Sequence, residues 1–226
     1  MKCYRITNNG VCPTATTRGW TIERDGPWLL QTETDWHPTE NCEYEIGGNT
    51  WQAQGRLTQA TIEKLNELWV SVGARKPLTA CHVLGVPSSR PHVDTVVDQV
   101  FVNAMTEFDD RLFDFTKIEK VWDRVRKRPP WEGEFYYATL LSMRPAYDLE
   151  KSDLMLAEGV KKRFFGSYNS SGGRRVVKAS SMVDSPIWRD AHTREVMCTE
   201  ETRQFFDALG IEEWLYAPIE ISDDRH

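Results

Sequence analysis

The sequence has no apolar run approaching the ~18 residues needed to cross a bilayer, and its start, Met1-Lys2-Cys3-Tyr4-Arg5-Ile6, has no apolar leader core. The expectation from both absences is a cytoplasmic chain with no membrane partner. Cysteine is sparse and unpaired in pattern. The five are Cys3, Cys12, Cys42, Cys81 and Cys198, an odd number at wide spacings with no C-x-x-C. In a cytoplasmic chain such a pattern reads as free, mostly buried thiols. It also argues against zinc, which needs tight local pairs of ligands. Gly-x-Gly-x-x-Gly, the P-loop, His-Glu-x-x-His and Gly-x-Ser-x-Gly are all missing. A phosphate cradle, a zincin and a serine-hydrolase elbow are therefore not indicated. Neither a cofactor, a metal nor a catalytic residue is expected.

What is present is an ordinary globular composition with many tryptophans, nine in 226 residues. Trp fills cores, and it also anchors interfaces. Net charge is −6 and uneven. Residues 117–128 hold six bases and two acids, and residues 159–183 hold six bases and no acid, while 184–226 hold eleven acids against four bases. The two basic runs read as solvated faces. An acidic surface repels phosphate backbones and favours basic partners, so nucleic acid is disfavoured.

The chain reads as alternating helices and strands. Cys3 to Ile6 and Trp28 to Gln31 suggest early strands. Ile62, Leu65, Leu68, Trp69 and Val72 form one helical stripe, predicting a helix from about Thr58 to Val72 that ends at Gly73. Val97, Val100, Phe101, Ala104, Met105 and Phe108 predict a second helix, with Asp94 as its cap. Leu112 to Phe115 alternates as a strand. Residues Ile118 to Val125 fit a strand or a basic helix equally. Phe135 to Met143 is the best central-strand candidate. Arg163-Phe164-Phe165 and Val176-Val177 flank a Gly/Ser-rich loop and suggest a hairpin, and Ile187-Trp188-Arg189 a segment docked on the core. At the end, Glu195 to Cys198 reads as a strand, Thr199 as an N-cap, Phe205, Phe206 and Leu209 as a helical core face, Gly210 as a stop, and Trp214 to Ile219 as a last strand. The expected fold is α+β, a mixed or mostly antiparallel sheet with two or three packed helices. It is read as a single domain over 1–226, with a possible subdivision at 130/131. A helix followed by an aromatic strand occurs twice, at Phe101–Phe115 and at Phe205–Tyr216, which hints at a repeat.

Few residues invite chemistry. Cys198 precedes a helix start, where a thiolate would be stabilised; a buried strand-end cysteine is the plainer reading. Cys81 and His82 are adjacent and on a strand would face opposite ways. The acidic pairs, among them Glu212-Glu213, are expected in a chain with thirty-four acids.

Three local features carry a family resemblance between about Phe135 and Ile221. The first is an aromatic strand followed by a polar step, Phe135-Tyr136-Tyr137 through Tyr147-Asp148-Leu149-Glu150-Lys151-Ser152. The second is the step Pro186-Ile187-Trp188-Arg189. The third is the closing strand–helix–Gly–strand unit from Val196 to Ile219. Together these resemble bacterial immunity proteins of polymorphic toxin systems, the group numbered eleven, with the related double-CxxCG immunity-like proteins. The double-CxxCG signature is absent here, so no metal role is carried over. The resemblance implies an α+β protein without catalytic residues that binds a cognate toxin and occludes its active site. An acidic inhibitor would steer toward a basic toxin and dock through aromatic anchors. Asp35-Trp36, Trp131-Glu132 and Glu212-Glu213 are the candidate contact residues, with core tryptophans as the alternative for Trp36 and Trp131. A different class, a hydrolase or transferase using scattered carboxylates or Cys198, is the other reading held open.

Overall fold

The computed structural model describes residues 1–8, 20–24, 43–46, 49–52, 59–72, 80–84, 95–156, 168–169, 173–183 and 185–223. The elements are, in order, β1 (Cys3–Asn8), β2 (Trp20–Arg24), β3 (Glu43–Ile46), β4 (Asn49–Gln52), α1 (Gln59–Asn66), β5 (Leu68–Val72), β6 (Val83–Leu84), β7 (Thr95–Asp98), α2 (Gln99–Asp109), β8 (Phe113–Lys117), β9 (Val121–Asp123), β10 (Phe135–Leu140), β11 (Met143–Arg144), β12 (Met155–Leu156), β13 (Tyr168–Asn169), β14 (Val176–Lys178), β15 (Ile187–Asp190), β16 (Val196–Thr199), α3 (Glu200–Ala208) and β17 (Trp214–Ser222). The fold is α+β and mostly sheet, with mixed and antiparallel pairing. No helix among the described residues is long and apolar enough to cross a membrane.

Two sheets organise the molecule. The larger runs β11-β15-β16-β1-β17-β14 and the smaller β6-β7-β10-β8. Between them lies the main core. Phe101 and Met105 of α2 and Phe206 of α3 meet Val83, Val97, Phe113 and Ala138 from the smaller sheet, with Ile6, Ile187, Cys198 and Trp214 from the larger. Phe101 stacks on Phe206 at 6.1 Å, and Phe108 stacks on Phe205 at 4.4 Å. Aromatic pairs at such separations add to the burial of their area. The far face of the smaller sheet (Leu84, Val96, Phe135, Tyr137) is covered by Val70, Val72 and Val121 of the three-stranded sheet β2-β5-β9. The far face of the larger sheet (Cys3, Val177, Trp188, Met197) is covered by Ala146, Tyr147 and Met182.

Several predicted elements move. The helix expected over Thr58–Val72 stops at Asn66, and Leu68–Val72 is a strand. The same apolar positions serve both periods, and Val70 and Val72 alternate into the core while pairing with β2 on one side and β9 on the other. Tertiary pairing overrides a helical stripe where β-branched residues end it. The second helix starts later than expected. Thr95, Val96 and Val97 extend as β7, and Asp98, not Asp94, is the N-cap, accepting from the Phe101 amide at 2.9 Å.

Residues 121–123 resolve as strand, ended where the Asp123 carboxylate accepts the Val125 and Arg126 amides. The long aromatic strand is central, paired with β7 and β8, but ends at Leu140. Leu141 and Ser142 carry the chain across to the larger sheet, where Met143–Arg144 pairs with β15. Val176-Val177 forms β14, an outer strand of the larger sheet. It pairs in parallel with Glu220-Ile221 of β17, and both valines are buried. Trp28–Gln31 and Arg163–Phe165 lie outside the described residues. Strand pairing crosses position 130 in both sheets, since β1 joins β16 and β17 while β10 joins β7 and β8.

Candidate partner-binding surface

The closing unit folds as its residues dictate. Val196, Met197 and Cys198 are buried in β16, and Thr199 turns the chain and accepts the Thr202 amide at 3.4 Å. Glu200 and Glu201 occupy the first turn, where the helix dipole favours acids. Phe206 is fully buried and Thr202 seals the same face, so Glu201, Gln204, Asp207 and Ala208 are left exposed. Gly210 takes a φ of +79°, which a side chain would resist, and Ile211 closes the turn in the core. Arg203 lies over the Tyr4 ring at 5.2 Å and within 3.6 Å of Glu200 and 3.7 Å of Asp207.

On α2 the exposed residues are Val100, Asn103, Thr106 and Glu107, with Asp110 just beyond. Residues 99–110 contain Glu107, Asp109 and Asp110 and no base. Both main helices therefore turn an acidic, base-poor side to solvent. Sequence reasoning missed these positions. The signal was available in the acids falling between the apolar stripe positions of each helix.

The predicted contact residues separate. Asp35 and Trp36 lie outside the described residues. Trp131 is half-buried and packs edge-to-face on Phe135 at 5.3 Å, against the layer behind the smaller sheet. Glu132 is exposed in the turn before β10. Glu212 is exposed in the turn before β17, whereas Glu213, beside it, is 2% exposed. Glu213 is thus a buried group and not part of a surface patch; it precedes Trp214, which enters the core, and the turn carries both inward. Glu132 and Glu212 stand ahead of strands in two different sheets.

The titratable groups singled out in the sequence have close neighbours in the fold. Cys198 is fully buried, and burial pushes its thiol well above the ordinary range, with Cys3 adding to the effect. The helix start beside it does not produce a thiolate. Burial likewise pushes the Cys3 thiol up to about 12. Cys3 and Cys198 sit on neighbouring strands but serve the cores on opposite faces of the sheet. The Cys81 thiol donates to the Val83 carbonyl at 3.0 Å. The His82 ring bonds Asp98 at 2.8 Å, the same carboxylate that caps α2.

His192 lies 3.4 Å from Asp190, whose carboxylate also accepts the amides of Ala146, Tyr147 and Thr193. Glu195 accepts from Arg5 and, at 2.6 Å, from the Tyr147 hydroxyl. Burial, and Arg194 nearby, push the Arg189 guanidinium down to about 9. Among the described residues no group of three or more His, Cys, Asp or Glu side chains is arranged to hold a metal ion. No protein-family model matches the sequence, and no curated protein matches it.

Proposed function

We propose that this chain is a non-catalytic, cytoplasmic immunity protein that binds a basic bacterial toxin and occludes its active site. The observation that carries the reading is the outward side of α3. It lies inside the Phe135–Ile221 segment that resembles the immunity group, and it exposes Glu201 and Asp207 while its one base, Arg203, lies over Tyr4 and is shared between Glu200 and Asp207. Helix α2 adds one exposed acid, Glu107, with Asp110 just past its end beside Arg111. Acids arranged this way raise the encounter rate with a basic face and fix its orientation. The burial of Cys198 favours this reading over nucleophilic chemistry at that thiol.

The decisive experiment is capture with the tagged chain from its native host, with the products of neighbouring genes as the candidates. The expected result is a neighbour that is toxic alone, harmless when co-expressed with this chain, and bound 1:1 with an association rate that falls as salt rises. The double variant Glu201→Lys/Asp207→Lys is expected to slow association about tenfold with little change in dissociation. Failure to capture any neighbouring product at low salt, with no rescue of any, would sink the proposal.

A further inference from the structure

The two main sheets share a pattern beyond a helix followed by a strand. In the smaller sheet β7 and β8 are both antiparallel to β10, which lies between them. In the larger sheet β16 and β17 are both antiparallel to β1, which lies between them. Each sheet therefore holds a strand–helix–strand unit, β7-α2-β8 or β16-α3-β17, split by one inserted antiparallel strand. A hairpin-like neighbour flanks each on the same side, β6 beside β7 and β15 beside β16.

The registers coincide as well. Tyr136 of β10 faces Val97 and Lys117; Tyr4 of β1 faces Cys198 and Pro218. Cys198 follows Val97, and Pro218 follows Lys117, by the same 101 positions. That spacing also relates the N-caps Asp98 and Thr199 and the strand starts Phe113 and Trp214. Met105 and Phe206 correspond in the same way, and both are buried in the shared core. The flanking strands agree, since Val83 faces Val97 and Ile187 faces Cys198, all four in that core. One further correspondence involves chemistry. The Tyr136 hydroxyl donates to Gln99, the first residue of α2; the Tyr4 ring lies under Arg203 of α3 at 5.2 Å, and Glu200, the first residue of α3, holds the Tyr4 hydroxyl above its ordinary range.

We infer that the chain is an internal duplication of one split β-α-β unit, permuted so that the inserted strand comes last in one copy and first in the other, and that Tyr136 and Tyr4 are the same device, positioning residues that fix each helix start to its central strand. A single shared strand order is common; one register carried through four strands, a cap and a helix face is not expected of two unrelated sheets. The two copies meet through their helices, which is how the aromatic stacks Phe101–Phe206 and Phe108–Phe205 arise.

The test uses the full chain and amide hydrogen exchange resolved by residue. Tyr136→Phe is expected to cost about tenfold in protection at the first turn of α2, and Tyr4→Phe about as much at the first turn of α3, each leaving the other helix unchanged. The reciprocal variants Gln99→Glu and Glu200→Gln, which give each copy the other's partner residue, are expected to stay folded and to keep protection within about threefold of the parent. These two variants also serve if a Phe variant does not fold. A loss from only one of the two Phe variants, a uniform loss across both sheets from either, or collapse of protection in a reciprocal variant would overturn the equivalence.

Discussion

The two sheets share a face and differ in what covers their backs. Behind the smaller sheet the cover is hydrocarbon: Val70, Val72 and Val121 against Leu84, Val96 and Tyr137. Behind the larger sheet the cover is a run of chain laced with carboxylates. Asp190 is fully buried and ties Ala146, Tyr147 and Thr193 to β15; Asp148, also buried, accepts the Glu150 and Lys151 amides; Glu195 gathers Arg5 and Tyr147. An apolar cover is held by area and tolerates adjustment. A cover made of loops must satisfy its own backbone groups, and buried carboxylates do so by direction. The first kind of back loses stability in proportion to what is removed, the second by what is left unpaired.

This difference sets the expected sizes of perturbation. Asp190→Ala strips partners from three amides and the Thr193 hydroxyl at once, and should lower unfolding free energy by about 3–5 kcal/mol, measured by urea denaturation. A loss below about 1 kcal/mol would mean that the loop cover is held by its apolar residues after all.

The next largest effect tests a polar exception in the smaller sheet's surroundings. Burial would raise the Asp123 carboxyl, but the Arg126 side chain and the amides of Arg126 and Val125 outweigh burial and hold it below its ordinary value. Folding therefore favours the ionised form. That contribution is complete above the ordinary carboxylate pKa of about 4 and is lost as pH falls through the lower folded value. Asp123→Asn should cost about 1–3 kcal/mol at pH 7 and flatten the loss of stability between neutral and acid pH. An unchanged acid limb in that variant would remove Asp123 from the account.

The smallest effect has the opposite sign. The Tyr137 hydroxyl is buried in the apolar layer with no hydrogen-bond partner among the described residues. Tyr137→Phe is expected to be neutral or to stabilise by up to about 1 kcal/mol. A clear destabilisation would show that the hydrocarbon back has a polar contact of its own.

Much of the closing unit was legible because its signals are local. Thr199 caps, Glu200 and Glu201 suit the helix start, Gly210 stops the helix, and Phe206 faces inward. The signals that failed were those in which one residue pattern serves two periods. The Ile62-to-Val72 stripe fits a helix until pairing with β2 and β9 claims its second half. The Phe135-to-Met143 run reads as one strand because nothing in it marks Leu141 and Ser142 as the crossing between two sheets.

The repeat was visible as a helix–strand echo, but in a register three residues away from the structural one, since the aromatic Phe101 corresponds to Thr202 and not to Phe205. Of the candidate surface, adjacent acids at Glu212-Glu213 gave no hint that one is exposed and the other buried. A turn decides that, and turns between core residues are not encoded by charge.

The position of β1 bears on how the chain is made. It is translated before β2 through β15, whereas its partners on both edges, β16 and β17, follow them. At ordinary elongation rates the delay is roughly ten to forty seconds. Through that interval Cys3–Asn8 has two open edges, and the pairings that close them have among the longest sequence separations the chain offers. The smaller sheet can assemble from neighbouring segments during synthesis, while the larger one waits for β16 and β17. The nascent protein therefore spends its youth with one copy of its unit complete and the other held open for its own first strand.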